Sequence, residues 1–146
     1  WNSPSRIARV TSHSPPEKGE AMTAVALLCR FFLGQDPADV DIMEKHAKLL
    51  IQKPPEWDPD GFGCDMYYWY YGSYAMYQMG GSQYWEPWQK AMEKAVVGSQ
   101  RAEGDEKGSW DPVGPWGYSG GRVYSTALMT LCMEVYFRYG KVLGAR

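Results

Sequence analysis

Two kinds of apolar pattern alternate along the chain. From Ala21, the residues Met22, Val25, Ala26, Leu27, Leu28, Cys29, Phe31, Phe32 and Leu33 leave almost no polar face before Gly34. A run that is apolar all round and followed by glycine predicts a buried helix over Ala21–Leu33. Asp36-Pro37 predicts a turn. Over Asp39–Gln52, Ile42, Met43, His46, Leu49 and Leu50 share one face, and Asp41, Glu44, Lys45 and Lys48 take the other. This second helix is amphipathic and belongs on the surface; Pro54-Pro55 stops it. The third, Asp65–Met79, is again apolar or aromatic on every face, with Asp65 as N-cap and Gly80-Gly81 as terminator. The fourth, Gln83–Ser99, sets Trp85, Trp88, Met92, Ala95 and Val96 on one stripe against Glu86, Lys90, Glu93 and Lys94. A polar loop, Gln100–Lys107, and a glycine-rich segment, Gly108–Gly121, lead to an apolar fifth helix over Val123–Tyr139. No run predicts a long strand, so the chain is expected to be all-α.

Buried and amphipathic helices thus alternate as inner, outer, inner, outer, inner. An internal repeat underlies the alternation. Thr23-Ala24-Val25-Ala26-Leu27-Leu28-Cys29 lines up with Thr126-Ala127-Leu128-Met129-Thr130-Leu131-Cys132, and Tyr70 to Gly81 fills the same slot in the middle unit. The expected organisation is an extended lead-in over residues 1–20, two and a half helical hairpins over 21–140, and a short tail over 141–146.

Composition narrows the function classes. Lys and Arg total 15 against 17 Asp and Glu, a net charge of −2, which excludes a nucleic-acid binder held by bulk positive charge. The 7 Trp and 11 Tyr among 146 residues make the chain rich in aromatic side chains able to line a cavity as well as a core. Met66–Trp85 is uncharged and long enough to cross a bilayer, but its tyrosines, glycines and Gln78 and Gln83 make it a buried helix and turn instead. A soluble chain without a transmembrane segment is expected. It opens on Trp1 with no leader pattern, as a trimmed polypeptide does, so no compartment follows. Cys29, Cys64 and Cys132 match no zinc spacing and are expected as free thiols in apolar helices.

Several stretches resemble the prenyltransferase and squalene-oxidase repeat family. They are Gly19-Glu20-Ala21-Met22-Thr23-Ala24, Asp65-Met66-Tyr67-Tyr68-Trp69-Tyr70-Tyr71, Gly80-Gly81, Gly108-Ser109-Trp110 and Gly120-Gly121-Arg122-Val123-Tyr124. The family includes squalene–hopene cyclases and protein prenyltransferase β subunits. The chain looks most like the bacterial members without assigned activity. Gln100 with Gly108-Ser109-Trp110 is similar to the cyclases' QW motif, in which a Gln caps a helix end and a Trp stacks on it. The resemblance covers about residues 19–140 and implies an α/α toroid, here an open arc.

A shared fold does not carry chemistry with it. The cyclases protonate their substrate with a DxDD run, where clustered carboxylates raise one pKa. Asp39-Val40-Asp41-Ile42 lacks the last Asp and sits where acidic residues favour a helix N-terminus. The prenyltransferases' Asp-x-Cys and distant His have no counterpart: Cys64-Asp65 is adjacent and reversed, His13 lies in the lead-in and His46 on an outer helix. Gly61-Phe62-Gly63-Cys64-Asp65 is not a thioester GCGEQ. No catalytic residue, metal or cofactor is expected.

What remains is a cluster at the N-terminal ends of two inner helices: Asp65, Tyr67, Tyr68 and Tyr71 on one, Arg122 and Tyr124 on the other. Aromatic walls there suit a lipid, an isoprenoid or another apolar ligand, and an Asp65–Arg122 pair suits its polar head. The expected function is a non-catalytic binding or scaffold repeat domain. The alternative is a fragment of a terpene cyclase or prenyltransferase whose catalytic residues lie outside this chain. The expected partners are further repeats of a longer chain or a second copy, because an open arc leaves the first and last inner helices uncovered on one side.

Overall fold

A computed structural model describes residues 19–58, 60 and 63–138, with side chains of the last helix as far as 135. Most of the expected lead-in and the whole of the tail lie outside the described residues. Within them there are five α-helices and no strand: α1 (Glu20–Phe32), α2 (Asp41–Leu50), α3 (Met66–Met79), α4 (Glu86–Val97) and α5 (Gly117–Arg138). The glycine after α1 ends it as expected, the Gly34 amide bonding to the Phe31 carbonyl and the Gln35 amide to that of Arg30.

The third helix is the centre of the molecule. It packs against α1 on one side and α5 on the other, while α2 lies over α1 and α3, and α4 over α3 and α5. Its burial on several faces explains why its sequence is apolar all round: Trp69, Tyr74, Ala75, Met76 and Gln78 are all buried. Helix direction follows from a few contacts. Lys53, just beyond α2, pairs with Glu20 at the start of α1, and its carbonyl accepts the Tyr68 hydroxyl from the start of α3 at 2.9 Å. So α1 and α3 begin at one end and α2 runs back between them. Gly114, three residues before α5, lies against the backbone carbonyl of Cys64 just before α3, so α5 begins at that end as well.

Several expectations need correction. The fourth helix does not start at Gln83 as an α-helix: Gly81–Trp85 forms a π-turn, with the Trp85 amide on the Gly80 carbonyl at 3.3 Å, and regular helix begins at Glu86. The fifth begins at Gly117 and bends at Gly121, whose φ of 63° and ψ of −168° only glycine adopts at little cost. Gly80 holds nearly the same conformation, φ 69° and ψ −169°, so both glycine doublets redirect the chain where an inner helix ends or begins. On α2 the buried face is Met43, Ala47 and Leu50, and Ile42 and Leu49 are exposed. Cys64 lies in the loop before α3, where its sulfur accepts from the Asp58 amide. Cys29 is exposed while Cys132 is buried, and all three cysteines are free.

The two aligned heptapeptides bury opposite faces. Ala24 and Leu27 are fully buried in α1, whereas their counterparts Ala127 and Thr130 are exposed on α5. Helices α1 and α5 flank α3 from opposite sides, so each turns a different face inward.

Candidate functional site

The end of the molecule where α1, α3 and α5 begin is built by three short-range devices. The Asp65 side chain accepts the Tyr68 amide at 3.1 Å and caps α3, which fixes the tyrosines that follow. Trp110, 2% exposed, donates its indole N–H to the Val96 carbonyl at 2.8 Å and so seals the last turn of α4. Its own amide reaches the Thr126 hydroxyl at 3.3 Å, tying the loop to α5. Gln100 does not cap a helix: its side-chain N–H donates to the Gly108 carbonyl at 3.0 Å and closes the loop between them. The two roles expected of a QW pair are therefore exchanged, with the Trp at the helix end and the Gln in the loop.

The third device is a charge cluster. Arg101 grips Asp111 through two contacts, at 3.0 and 2.8 Å. Arg122 donates to Asp111 and Glu106 at 2.8 Å each and to the Ser109 hydroxyl at 3.0 Å. The hydrogen bond from Arg101, then that from Arg122, holds the Asp111 carboxyl below its usual range. Arg122 is accordingly a loop clamp, and no Asp65–Arg122 pair forms. The partners Arg101, Glu106 and Asp111 escaped the reading of the sequence because nothing in a polar loop shows which of its charges will meet a residue ten or more positions on.

Of the six expected ligand residues, four come together. Tyr67 and Tyr71 lie one turn apart with ring centroids 4.7 Å apart, and Tyr70 meets Tyr71 edge to face at 5.1 Å. Tyr124 faces the same end of α3; burial first, then the nearby Asp65, Cys132 and Tyr67, push its hydroxyl up, and that buried oxygen has no hydrogen-bond partner. Burial also raises the Asp65 carboxyl, more than its backbone hydrogen bonds lower it. Tyr68 turns away: its ring packs edge to face on Trp88 at 5.7 Å and its hydroxyl serves the carbonyls of Leu50 and Lys53. Arg122 is taken by the loop.

The arrangement is a half-buried aromatic wall with one half-buried carboxyl and one unmet hydroxyl. It can stack an apolar or flat group and offer it a polar contact at Asp65 or Tyr124. Asp39 lies in a turn and Asp41 in the first turn of α2, where its charge faces the helix dipole. The described residues hold no group of three His, Cys, Asp or Glu placed to bind a metal ion. No family model matches the chain, and no curated protein or solved structure matches it either.

Proposed function

We propose that this chain is part of an α/α toroid of the terpenoid-cyclase and prenyltransferase kind, and that it serves as a non-catalytic binding or scaffold domain. Its ligand is an elongated apolar molecule with a small polar head, such as an isoprenoid alcohol. The observation that carries this reading is the meeting of Asp65, Tyr67, Tyr71 and Tyr124 at the common N-terminal end of α3 and α5. The parallel course of α1, α3 and α5 beneath the antiparallel α2 and α4 supports the toroid part of it. The rings supply stacking area, and the unmet Tyr124 hydroxyl supplies a hydrogen bond for a head group.

Titration with a fluorescent farnesol tests this directly. Saturable binding is expected, weakened about tenfold in Tyr71→Ala, since one lost aromatic contact is worth about 1–1.5 kcal/mol. Binding that never saturates, or that Tyr71→Ala leaves unchanged, would overturn the reading. One observation favours the alternative of an isoprenoid-acting enzyme: a carboxyl raised by burial at the mouth is what a proton donor needs. Conversion of a polyprene that is lost in Asp65→Asn would decide for that alternative.

A further inference from the structure

We infer that the site at the head of α3 selects a cation, and that its ligand carries an alkylated ammonium head of the choline kind. The inference rests on the proposed binding function and narrows the head group of its ligand. It starts from what α3 leaves open. Most of that helix is buried, and its half-buried surface consists of Tyr67, Tyr70, Tyr71 and Tyr77, with Met79 at the end. Aromatic rings therefore form the wall, Tyr67 and Tyr71 tilted 54° to each other at 4.7 Å and Tyr70 edge-on to Tyr71. The face of an aromatic ring is negative and attracts a cation within about 6 Å of its centre.

Beside these rings stands a carboxyl that no described cation of the protein answers. Asp65 accepts the Tyr68 amide at 3.1 Å, and no Lys or Arg among the described residues pairs with it. The basic side chains at this end are engaged elsewhere, Arg122 by Asp111, Glu106 and the Ser109 hydroxyl, and Lys53 by Glu20. Tyr124 adds a buried hydroxyl oxygen without a hydrogen-bond partner, and no positive charge. An anion would be repelled by the carboxylate and by the ring faces alike. A neutral alcohol would leave the Asp65 charge uncompensated. A cation satisfies both. The walls decide which kind of cation. A bare metal ion needs several oxygen ligands, and the described residues hold no group of three His, Cys, Asp or Glu to supply them. A primary ammonium brings three N–H donors that each require an acceptor. The methyl groups of a quaternary ammonium need none and lay its charge directly on ring faces.

The test compares choline with its neutral carbon isostere, in which a tert-butyl group replaces the trimethylammonium. The two share shape and hydroxyl and differ in charge, so NMR titrations of the unmodified chain at fixed ionic strength isolate the cation. Choline is expected to saturate, with shift changes on Tyr67 and Tyr71, and to bind about tenfold tighter than the isostere. Asp65→Asn keeps the helix cap and is expected to abolish that preference. Tyr71→Ala is expected to weaken choline about tenfold, with circular dichroism confirming that the helices are kept. Equal affinity for the two probes, or a preference that survives Asp65→Asn, overturns the inference and leaves the binding function standing if farnesol still saturates. Saturation by neither probe overturns it as well, and the binding function falls with it only if farnesol also fails. Potassium ions that displace choline at equal concentration would reduce the site to simple ion pairing and overturn the inference too.

Discussion

Trp88 shows how much one side chain dictates around itself. Its indole N–H bonds to the Ser73 hydroxyl at 2.9 Å, and its ring lies so close to Gly72 that an added Cβ would sit 2.5 Å from it. Helix propensity alone favours Ala over Gly by about 1 kcal/mol. Here overpacking wins, and Gly72→Ala is expected to cost about 1–3 kcal/mol in denaturant melts. Trp110 acts at the other end of α4, where removing the buried ring and its bond to Val96 is expected to cost about 3–5 kcal/mol. An unchanged melting temperature for Trp110→Ala would mean that the ring does not hold the loop. Asp65 adds a pH dependence. Because burial raises its folded-state pKa, the unfolded chain ionises first, and Asp65 stabilises the fold most below the ordinary carboxylate range. That contribution is lost as pH rises through the raised folded value. Asparagine caps a helix as well as aspartate, so Asp65→Asn is expected to melt higher than the unmodified chain at pH 7 and at the same temperature at pH 3.

The helices were legible where local chemistry sets them. Asp65 announced the start of α3, Gly34 the end of α1, and the polar faces of α2 and α4 their place on the outside. The π-turn at Gly81–Trp85 was not, because Gly80-Gly81 reads as a terminator and not as a bend leading straight into the next helix. Gly120-Gly121 hid the first turn of α5 in the same way. The candidate site divides along the same line. Tyr67 and Tyr71 stand one turn apart by helix geometry alone, whereas the partner of Arg122 depended on where a loop would fold. The Arg101–Asp111–Arg122 cluster holds that loop against α5. The lowered pKa of Asp111 means that its stabilisation is present above the ordinary carboxylate range and fades as pH falls through the folded value. Because these side chains are partly exposed, Asp111→Asn is expected to cost no more than about 1 kcal/mol at pH 7, and progressively less as pH falls through the lowered folded value.

At the scale of the whole molecule, three inner helices start at one end and two outer helices return over them. This places the aromatic wall and the loop clamp together, with α3 as the spine that both halves share. No described helix is long and apolar enough to cross a membrane. We propose that the ligand sits where Asp65, Tyr67, Tyr71 and Tyr124 meet, and a residue-resolved NMR titration with farnesol tests this most directly. Shift changes are expected to concentrate on Asp65, Tyr67, Tyr71 and Tyr124 and to leave α2 and the outer face of α4 still. Changes confined to the exposed face of α5 around Ala127 and Thr130, or none at saturating ligand, would contradict it.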